Sequence, residues 1–322
     1  RIPAHAAVGE AVELVKRARK GSAAGFVNAV LRKAGGRGPG TGDRGGTLRD
    51  GGVPPASGTG LEGENACPTS GSAPSGPASW PREVELSCPE WLLERWERQY
   101  GEEAAVEIAR AALRPPEKYF RGERMQDIGS QAIVPLLRLE AGQTFLDVCA
   151  APGNKTAQAM EAGVRAVACD VHFHRLAAMV GAGGQGPGAG DGGSLELVVL
   201  DATRPLPFSK KFDRILVDAP CSGTGTLGRN PEIKWKLKPE DLADLHQRQV
   251  AILRNALEVL APGGILVYST CSLEEEENER VVEAVSDPRF STSGPCFRRL
   301  PGRDAGDGFF AAVLESKVPA ND

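Results

Sequence analysis

From residue 126 onward the chain repeats one alternation: a short apolar run, a stretch with helical spacing, then another apolar run. The runs are Thr144–Val148, Ala166–Cys169, Leu195–Leu200, Arg214–Val217 and Ile265–Ser269, with helical stretches at 156–162, 239–260 and 273–286. Runs that are apolar at successive positions suit strands buried on both faces, and alternation with helices predicts a parallel sheet wrapped on both sides. The expected fold class is therefore α/β, a doubly wound Rossmann-like sheet with a helical N-terminal portion. Phe297–Leu300 and Phe309–Leu314 are spaced as a closing hairpin.

In such a sheet the carboxyl ends of the strands face the ligand crevice. Asp170, Asp201 and Asp218 end successive runs, and Cys221 and Cys271 follow two of them. An aspartate after a strand is often only a turn or capping residue, a sufficient account of any one of the three. The series fits a nucleoside, which offers several hydroxyl and amino donors. Two thiols beside an aspartate, facing the same crevice, point to covalent chemistry on an electron-poor ring.

The first run ends in Asp147-Val148-Cys149-Ala150-Ala151-Pro152-Gly153-Asn154-Lys155-Thr156. Small residues let the backbone approach a ligand, and the next helix offers free N–H groups. A P-loop needs glycine directly before the lysine and again five residues earlier; here those positions hold Asn154 and Cys149. The dinucleotide pattern G-x-G-x-x-G is absent as well.

Free cysteine is usually a small buried hydrophobe, yet Pro220-Cys221-Ser222-Gly223-Thr224-Gly225 is a tight polar loop. Thr270 and Ser272 flank the other thiol. A helix is expected to start at Ser272, with Glu275 completing a capping box and Glu274–Glu277 opposing the helix dipole. A thiol at such a helix start is acidified, which favours Cys271 as nucleophile. Cys149 falls in the ligand loop, Cys169 in the core and Cys67 in an inert segment. His172 and His174 lack further ligands at metal-binding spacing, so no metal is expected. Lys234, Lys236 and Lys238 around Trp235 suit RNA phosphates and a stacked base, or a plain surface loop with one anchoring aromatic.

Upstream, residues 1–33 read as two short helices, and eight Lys/Arg against two Glu make residues 1–37 basic. That basic end suits either a nucleic-acid contact or a solvated helix face. The chain opens on Arg1 within the first helical pattern, so a fragment is expected. Residues 34–81 are dominated by Gly, Pro, Ser and Thr, a composition that predicts a disordered linker. Residues 88–113 return to helical spacing, with Trp91, Leu92, Trp96 and Tyr100 on one face, before Pro115-Pro116. A Gly-rich insertion is expected over 181–194. The net charge of −4 gives no global argument for a polyanionic partner. Seven cysteines without a C-x-x-C pair or a leader predict a reduced, cytoplasmic setting. No apolar stretch is long enough to span a bilayer.

Asp147–Thr156, Asp218-Ala219-Pro220-Cys221-Ser222-Gly223-Thr224-Gly225 and Ser269-Thr270-Cys271-Ser272 together resemble the RNA cytosine-C5 methyltransferases of the NOL/NOP/Sun family. Ile2–Ala7 and Gly25–Leu31 resemble the end of the NusB-like domain of its RsmB (Sun) branch, which modifies small-subunit ribosomal RNA. The resemblance implies a class I methyltransferase sheet over 126–318 and S-adenosylmethionine as cofactor. It places Cys149, Ala150, Ala151, Pro152, Gly153, Asn154, Lys155, Asp170, Arg175, Asp201 and Asp218 at the cofactor. It also implies that Cys271 attacks C6 of a flipped-out cytosine, that Asp218 meets the N3 side of the ring, and that Cys221 assists adduct release.

The sequence departs from the family in two places. Asn154 stands where a second glycine is usual, and residues 82–125 leave room for only a shortened RNA-recognition subdomain. The expected partner is ribosomal RNA and the expected state a monomer without membrane attachment. Competing readings are a methyltransferase of transfer or large-subunit RNA, a DNA cytosine-C5 methyltransferase with Cys221 as nucleophile, and a non-catalytic ribosome-assembly module.

Overall fold

The structure, a computed structural model, describes residues 81–179 and 193–317, all within one compact unit, Ser75–Asp322. The expectations for residues 1–33, the linker, and most of the Gly-rich insertion lie outside the described residues.

The centre is an eight-stranded mixed sheet of β3 (Thr144–Asp147), β4 (Arg165–Asp170), β5 (Ser194–Val199), β6 (Phe212–Asp218), β7 (Leu260–Thr270), β8 (Phe290–Thr292), β9 (Phe297–Arg299) and β10 (Phe309–Ser316). Its order is β5-β4-β3-β6-β7-β10-β8, with β9 also paired to β10. The strands from β5 to β7 are parallel; β10 runs antiparallel to β7, β8 and β9. The expected closing hairpin is thus β9 with β10.

Successive side chains go to opposite faces, which explains the unbroken apolar runs. On one face Leu146, Ile215, Val217, Leu266 and Tyr268 pack with Leu253, Ala256 and Leu257 of helix α8 (Asp241–Leu257). On the other, Phe145, Leu216, Ile265 and Val267 pack with Ile133, Leu137, and Ala159 and Met160 of helix α5 (Asn154–Met160). Helix α6 (Phe173–Ala178) follows β4.

Ahead of the sheet come α1 (Arg82–Glu85), α2 (Glu90–Tyr100), α3 (Glu102–Ala111), a hairpin of β1 (Phe120–Arg121) and β2 (Arg124–Met125), and α4 (Ile128–Gln131). α2 buries Leu92, Leu93 and Trp96. Their cluster takes in Leu227 and Leu273, which lie in the loops after β6 and β7. Trp96 Nε1 donates to Glu274 Oε1 at 3.1 Å, and Tyr100 donates its hydroxyl proton to the Leu273 carbonyl. The N-terminal helices thus brace the loops that carry the two cysteines.

One expected helix is different. No helix starts at Ser272: Glu275–Glu277 form a single 3-10 turn and α9 begins only at Glu279, running to Ala284. The capping box is absent because the Ser272 hydroxyl accepts from Glu274 N, 3.0 Å away, while Glu275 pairs with Arg280. Cys271 therefore does not sit at a helix N-terminus, and no helix dipole acidifies its thiol.

Candidate active site

β6 and β7 lie in parallel register with Asp218 opposite Ser269, so the loops that leave them run side by side. Ala219 N–H donates to the Ser269 carbonyl at 2.8 Å, Gly225 N–H to the Cys271 carbonyl at 2.9 Å, and Leu273 N–H to Thr224 Oγ1 at 2.9 Å. Stitched in this way, the loops bring Cys221 Sγ within 3.4 Å of Cys271 Sγ. Beside them Asp218 accepts from Lys155 Nζ at 2.7 Å through Oδ2, and from Ser269 Oγ at 2.8 Å through Oδ1.

The electrostatics distinguish these groups. Burial pulls the Lys155 ammonium toward neutrality, but Asp218 more than offsets it and the net shift is upward. The Cys221 thiol is held well above its usual range, first by its hydrogen bond with Cys271, then by burial and by the charges of Cys271 and Glu277. Burial, reinforced by Asp147, Asp218 and Asp170, likewise pushes up the Cys149 thiol, which makes it a poor nucleophile. Asp147, wholly buried under the loop, is raised to about 7 by desolvation, with Asp218 adding to it. Its Oδ2 accepts from Thr156 Oγ1 at 2.7 Å, and its Oδ1 is buried without a partner.

Both thiols open into a cleft of about 780 Å³ that Asp170, Asp201, Asp218, Cys149, Ala151 and Arg175 also line. That volume suits a nucleoside-sized ligand. Arg175 reaches the Ala151 carbonyl at 3.0 Å and stands 3.9 Å from Asp170. Asp170 and Asp201 do fill the plainer turn role, accepting from His172 N at 2.8 Å and Thr203 N at 3.0 Å, yet both still line the cleft.

The rest of the ligand loop serves from behind. Ala150 packs with Ala168, Leu176 and Met179. Pro152 leads into Gly153, whose φ of 99° is one that side chains rarely adopt and whose Cβ position lies 2.9 Å from the tip of Met179. Asn154 turns away, its Nδ2 3.4 Å from the Met125 carbonyl. Lys155 reaches Asp218 instead of lining the cleft.

The donor set fits S-adenosylmethionine. Carboxyls at Asp170 and Asp201 can take ribose hydroxyls, Val171, Leu200 and Ile252 offer an apolar wall for a base, and the floor is closed by small residues.

Sequence reasoning missed Glu277, Gln249 and Asp147. Glu274 and Glu277 belong to an acidic run read as complementing the dipole of a helix start, yet both are fully buried and hydrogen-bonded to other segments. The basic loop also needs correcting: Lys234 is buried, and only Trp235 (61% exposed), Lys236 and Lys238 face solvent or line its edge. Among the described residues no group of three His, Cys, Asp or Glu could hold a metal ion, and no helix is long and apolar enough to cross a membrane.

A sheet of this order, with a nucleoside-sized cleft at its parallel strand ends, defines a class I methyltransferase. The profile of the family described as 16S rRNA methyltransferase RsmB/F matches residues 134–315, and that of the NusB family matches residues 1–35. Ribosomal RNA small subunit methyltransferase B of Vibrio cholerae is 32% identical over 376 residues, covering 98% of this chain and 78% of that protein. Its counterpart in Klebsiella pneumoniae is 38% identical over 207 residues, covering 59% of this chain but 46% of that protein. The aligned part thus spans less than half of the Klebsiella relative. The crystal structure of NSun6 from Pyrococcus horikoshii with SFG superimposes with a TM-score of 0.53 at 26% identity, covering 60% of this chain and 52% of that one. The chain belongs to the 16S rRNA methyltransferase RsmB/F family.

Proposed function

We propose that this chain methylates C5 of a cytosine in small-subunit (16S) ribosomal RNA, with S-adenosylmethionine as methyl donor. The observation that carries the reading is the thiol pair at 3.4 Å, beside Asp218, in the same cleft as the strand-end acids.

C5 of cytosine is a poor nucleophile until addition at C6 breaks the ring's conjugation. The base must leave its stack to be reached. Two adjacent thiolates would repel each other, and the hydrogen bond with Cys271 together with burial holds the Cys221 thiol up, which disfavours Cys221 as the attacking sulfur. Cys271 is then the thiol that adds to C6, forming an S–C6 bond while electron density moves to C5 and the N3 side of the ring. Asp218, fixed by Lys155 and Ser269, is the group assigned to that side. Bound in the cleft, the cofactor supplies an electrophilic methyl group.

Once Cys271 is bonded to carbon, its hydrogen bond to Cys221 and its negative charge are gone. The two contributions from Cys271 that raise the Cys221 pKa then vanish, so Cys221 can release its proton to solvent in the cleft and act as a thiolate. That thiolate takes the C5 proton, the C–H electron pair restores the C5–C6 double bond, the S–C6 bond breaks and Cys271 leaves as thiolate. Asp170, Asp201, Asp218, Arg175 and the Cys149–Lys155 loop are assigned to the cofactor: Cys149, Ala151, Asp170, Arg175, Asp201 and Asp218 as residues that line the cleft, and Ala150, Pro152, Gly153, Asn154 and Lys155 by shaping the loop.

The domain reading is a NusB-like segment at 1–33, a linker at 34–81, a shortened RNA-recognition segment at 82–125 and the catalytic domain at 126–318. We assign the protein to the cytoplasm as a monomer. The six described cysteines are all free thiols, in keeping with a reduced compartment. Incubation with labelled cofactor and unmethylated small-subunit RNA, followed by bisulfite mapping, tests the function. One protected cytosine is the expected result; cofactor binding without any transfer would leave the non-catalytic assembly role.

A further inference from the structure

The residue that follows each catalytic thiol is held by the same buried carboxyl. Glu277 is fully buried. Its Oε1 accepts from Ser222 N at 2.8 Å and Gln249 Nε2 at 2.9 Å, and its Oε2 accepts from the hydroxyls of Ser222 and Ser272. The two hydroxyls are themselves 3.1 Å apart. Ser222 directly follows Cys221, and Ser272 directly follows Cys271. Gln249 also donates to the carbonyl of Pro220, the residue before Cys221, at 2.9 Å. The neighbouring Asn278 holds the other side, accepting from Thr270 Oγ1 at 2.5 Å and donating to the Ser272 carbonyl at 3.0 Å.

A buried carboxyl is tolerated only when donors fill its lone pairs, and the four found here belong to or fix the two cysteine loops. Contact with neither cleft nor substrate is needed for it to act. We infer that Glu277 is a positioning residue that sets the spacing of the Cys221–Cys271 pair by holding Ser222 and Ser272 on one carboxyl. This rests on the assignment of Cys271 as nucleophile and Cys221 as release residue.

The titratable groups that act on Cys221 are Cys271 and Glu277, with Tyr268 packed nearby. Arg248 and Asp218 line the same cleft, and Lys155 is paired to Asp218. Of these, Glu277 bonds the residue after each of the two cysteines. Its negative charge raises the Cys221 pKa, so Glu277→Gln removes charge and reorganises the bonds while Glu277→Asp keeps the charge and withdraws the reach.

The test is iodoacetamide alkylation of each cysteine as a function of pH, read by mass spectrometry on the full chain, alongside steady-state methyl transfer. For Glu277→Gln the midpoint of Cys221 alkylation is expected to fall by about one pH unit. Its kcat is expected to fall about tenfold or more, with the KM for S-adenosylmethionine within about twofold. Glu277→Asp is expected to keep the high midpoint yet lose kcat. Glu274→Gln, an equally buried acid in the same segment that bonds Arg95 and Trp96, is expected to leave the Cys221 profile unchanged.

A folded Glu277→Gln protein with the wild-type alkylation profile and kcat overturns the inference. Should that variant not fold, Ser222→Ala and Ser272→Ala decide, and wild-type kcat in both overturns it equally. Alkylation requires neither cofactor nor RNA. Full methyl transfer by Cys271→Ala would therefore sink the catalytic assignment separately, leaving the alkylation profile to judge Glu277.

Discussion

Lys155 Nζ lies 2.7 Å from Asp218 Oδ2, so the lysine that ends the ligand loop is committed to the aspartate at the end of β6. Lys155 is only 11% exposed at its side chain and Asp218 is 31% exposed. Removing one partner of a buried pair strands the other charge, at about 3–5 kcal/mol. Because Asp218 keeps one side in water, Asp218→Asn is expected to cost less, about 2 kcal/mol in urea unfolding. The double variant Lys155→Met/Asp218→Asn should be more stable than the sum of the singles predicts. Strict additivity would mean that the contact is not energetically coupled.

Asp147 gives the fold a distinctive pH response. Its folded pKa of about 7 lies above the ordinary 3.8, so the folded state holds the proton more tightly than the unfolded chain. This contribution is complete below about pH 4 and is lost as the pH rises toward 7. Asp147→Asn should therefore gain on the wild type across that window, by up to about 4 kcal/mol at neutral pH. Denaturant melts at pH 5 and 7.5 check this; a stability difference independent of pH would contradict it.

How much of this was legible in the sequence depends on the range of the interaction. The strands could be read because burial on both faces leaves a continuous apolar run, as in Ile215-Leu216-Val217. Their ends could be read because a parallel sheet delivers them to one side, which is why Asp218, Cys221 and Cys271 were found in order. Long-range pairing could not be read. Ser272 carries a good local capping signal, but its hydroxyl is engaged by Glu277 and Glu274 N, so the helix waits until Glu279. Lys234 looked like part of a basic surface loop, yet it is buried, and desolvation lowers its pKa against the opposing effect of Cys88. β7 begins at Leu260, ahead of the run Ile265–Ser269, because Leu260 pairs with Phe212 of β6 before a register shift carries the pairing on to Ile265.

Gly225 marks where the two cysteine loops meet a third strand. A Cβ there would stand 2.3 Å from the Gly308 carbonyl oxygen and 2.8 Å from that of Cys271, both backbone atoms. Neither can rotate away, so Gly225→Ala is expected to destabilise the fold by about 2–3 kcal/mol and to disturb the thiol spacing. Thermal unfolding with thiol-reactivity measurements checks it. An unshifted melting temperature would show that the loops are slack.

Trp235 is 61% exposed in helix α7 (Ile233–Lys236), next to Lys236 and ahead of Lys238. If it stacks on an RNA base, Trp235→Ala should weaken RNA binding by about 1–3 kcal/mol without changing the melting temperature. Lys236→Ala with Lys238→Ala should flatten the salt dependence of binding. Unchanged affinity in filter binding would leave Trp235 as an ordinary surface residue.

The most direct measurement of the central assignment uses RNA carrying 5-fluorocytosine at the target position, where fluorine at C5 blocks the proton loss that frees the adduct. The wild-type chain with S-adenosylmethionine should form a denaturation-stable protein–RNA complex, Cys271→Ala should form none, and Cys221→Ala should accumulate the complex even on ordinary cytosine. Trapping that survives in Cys271→Ala and disappears only in Cys221→Ala would reverse the roles of the two thiols.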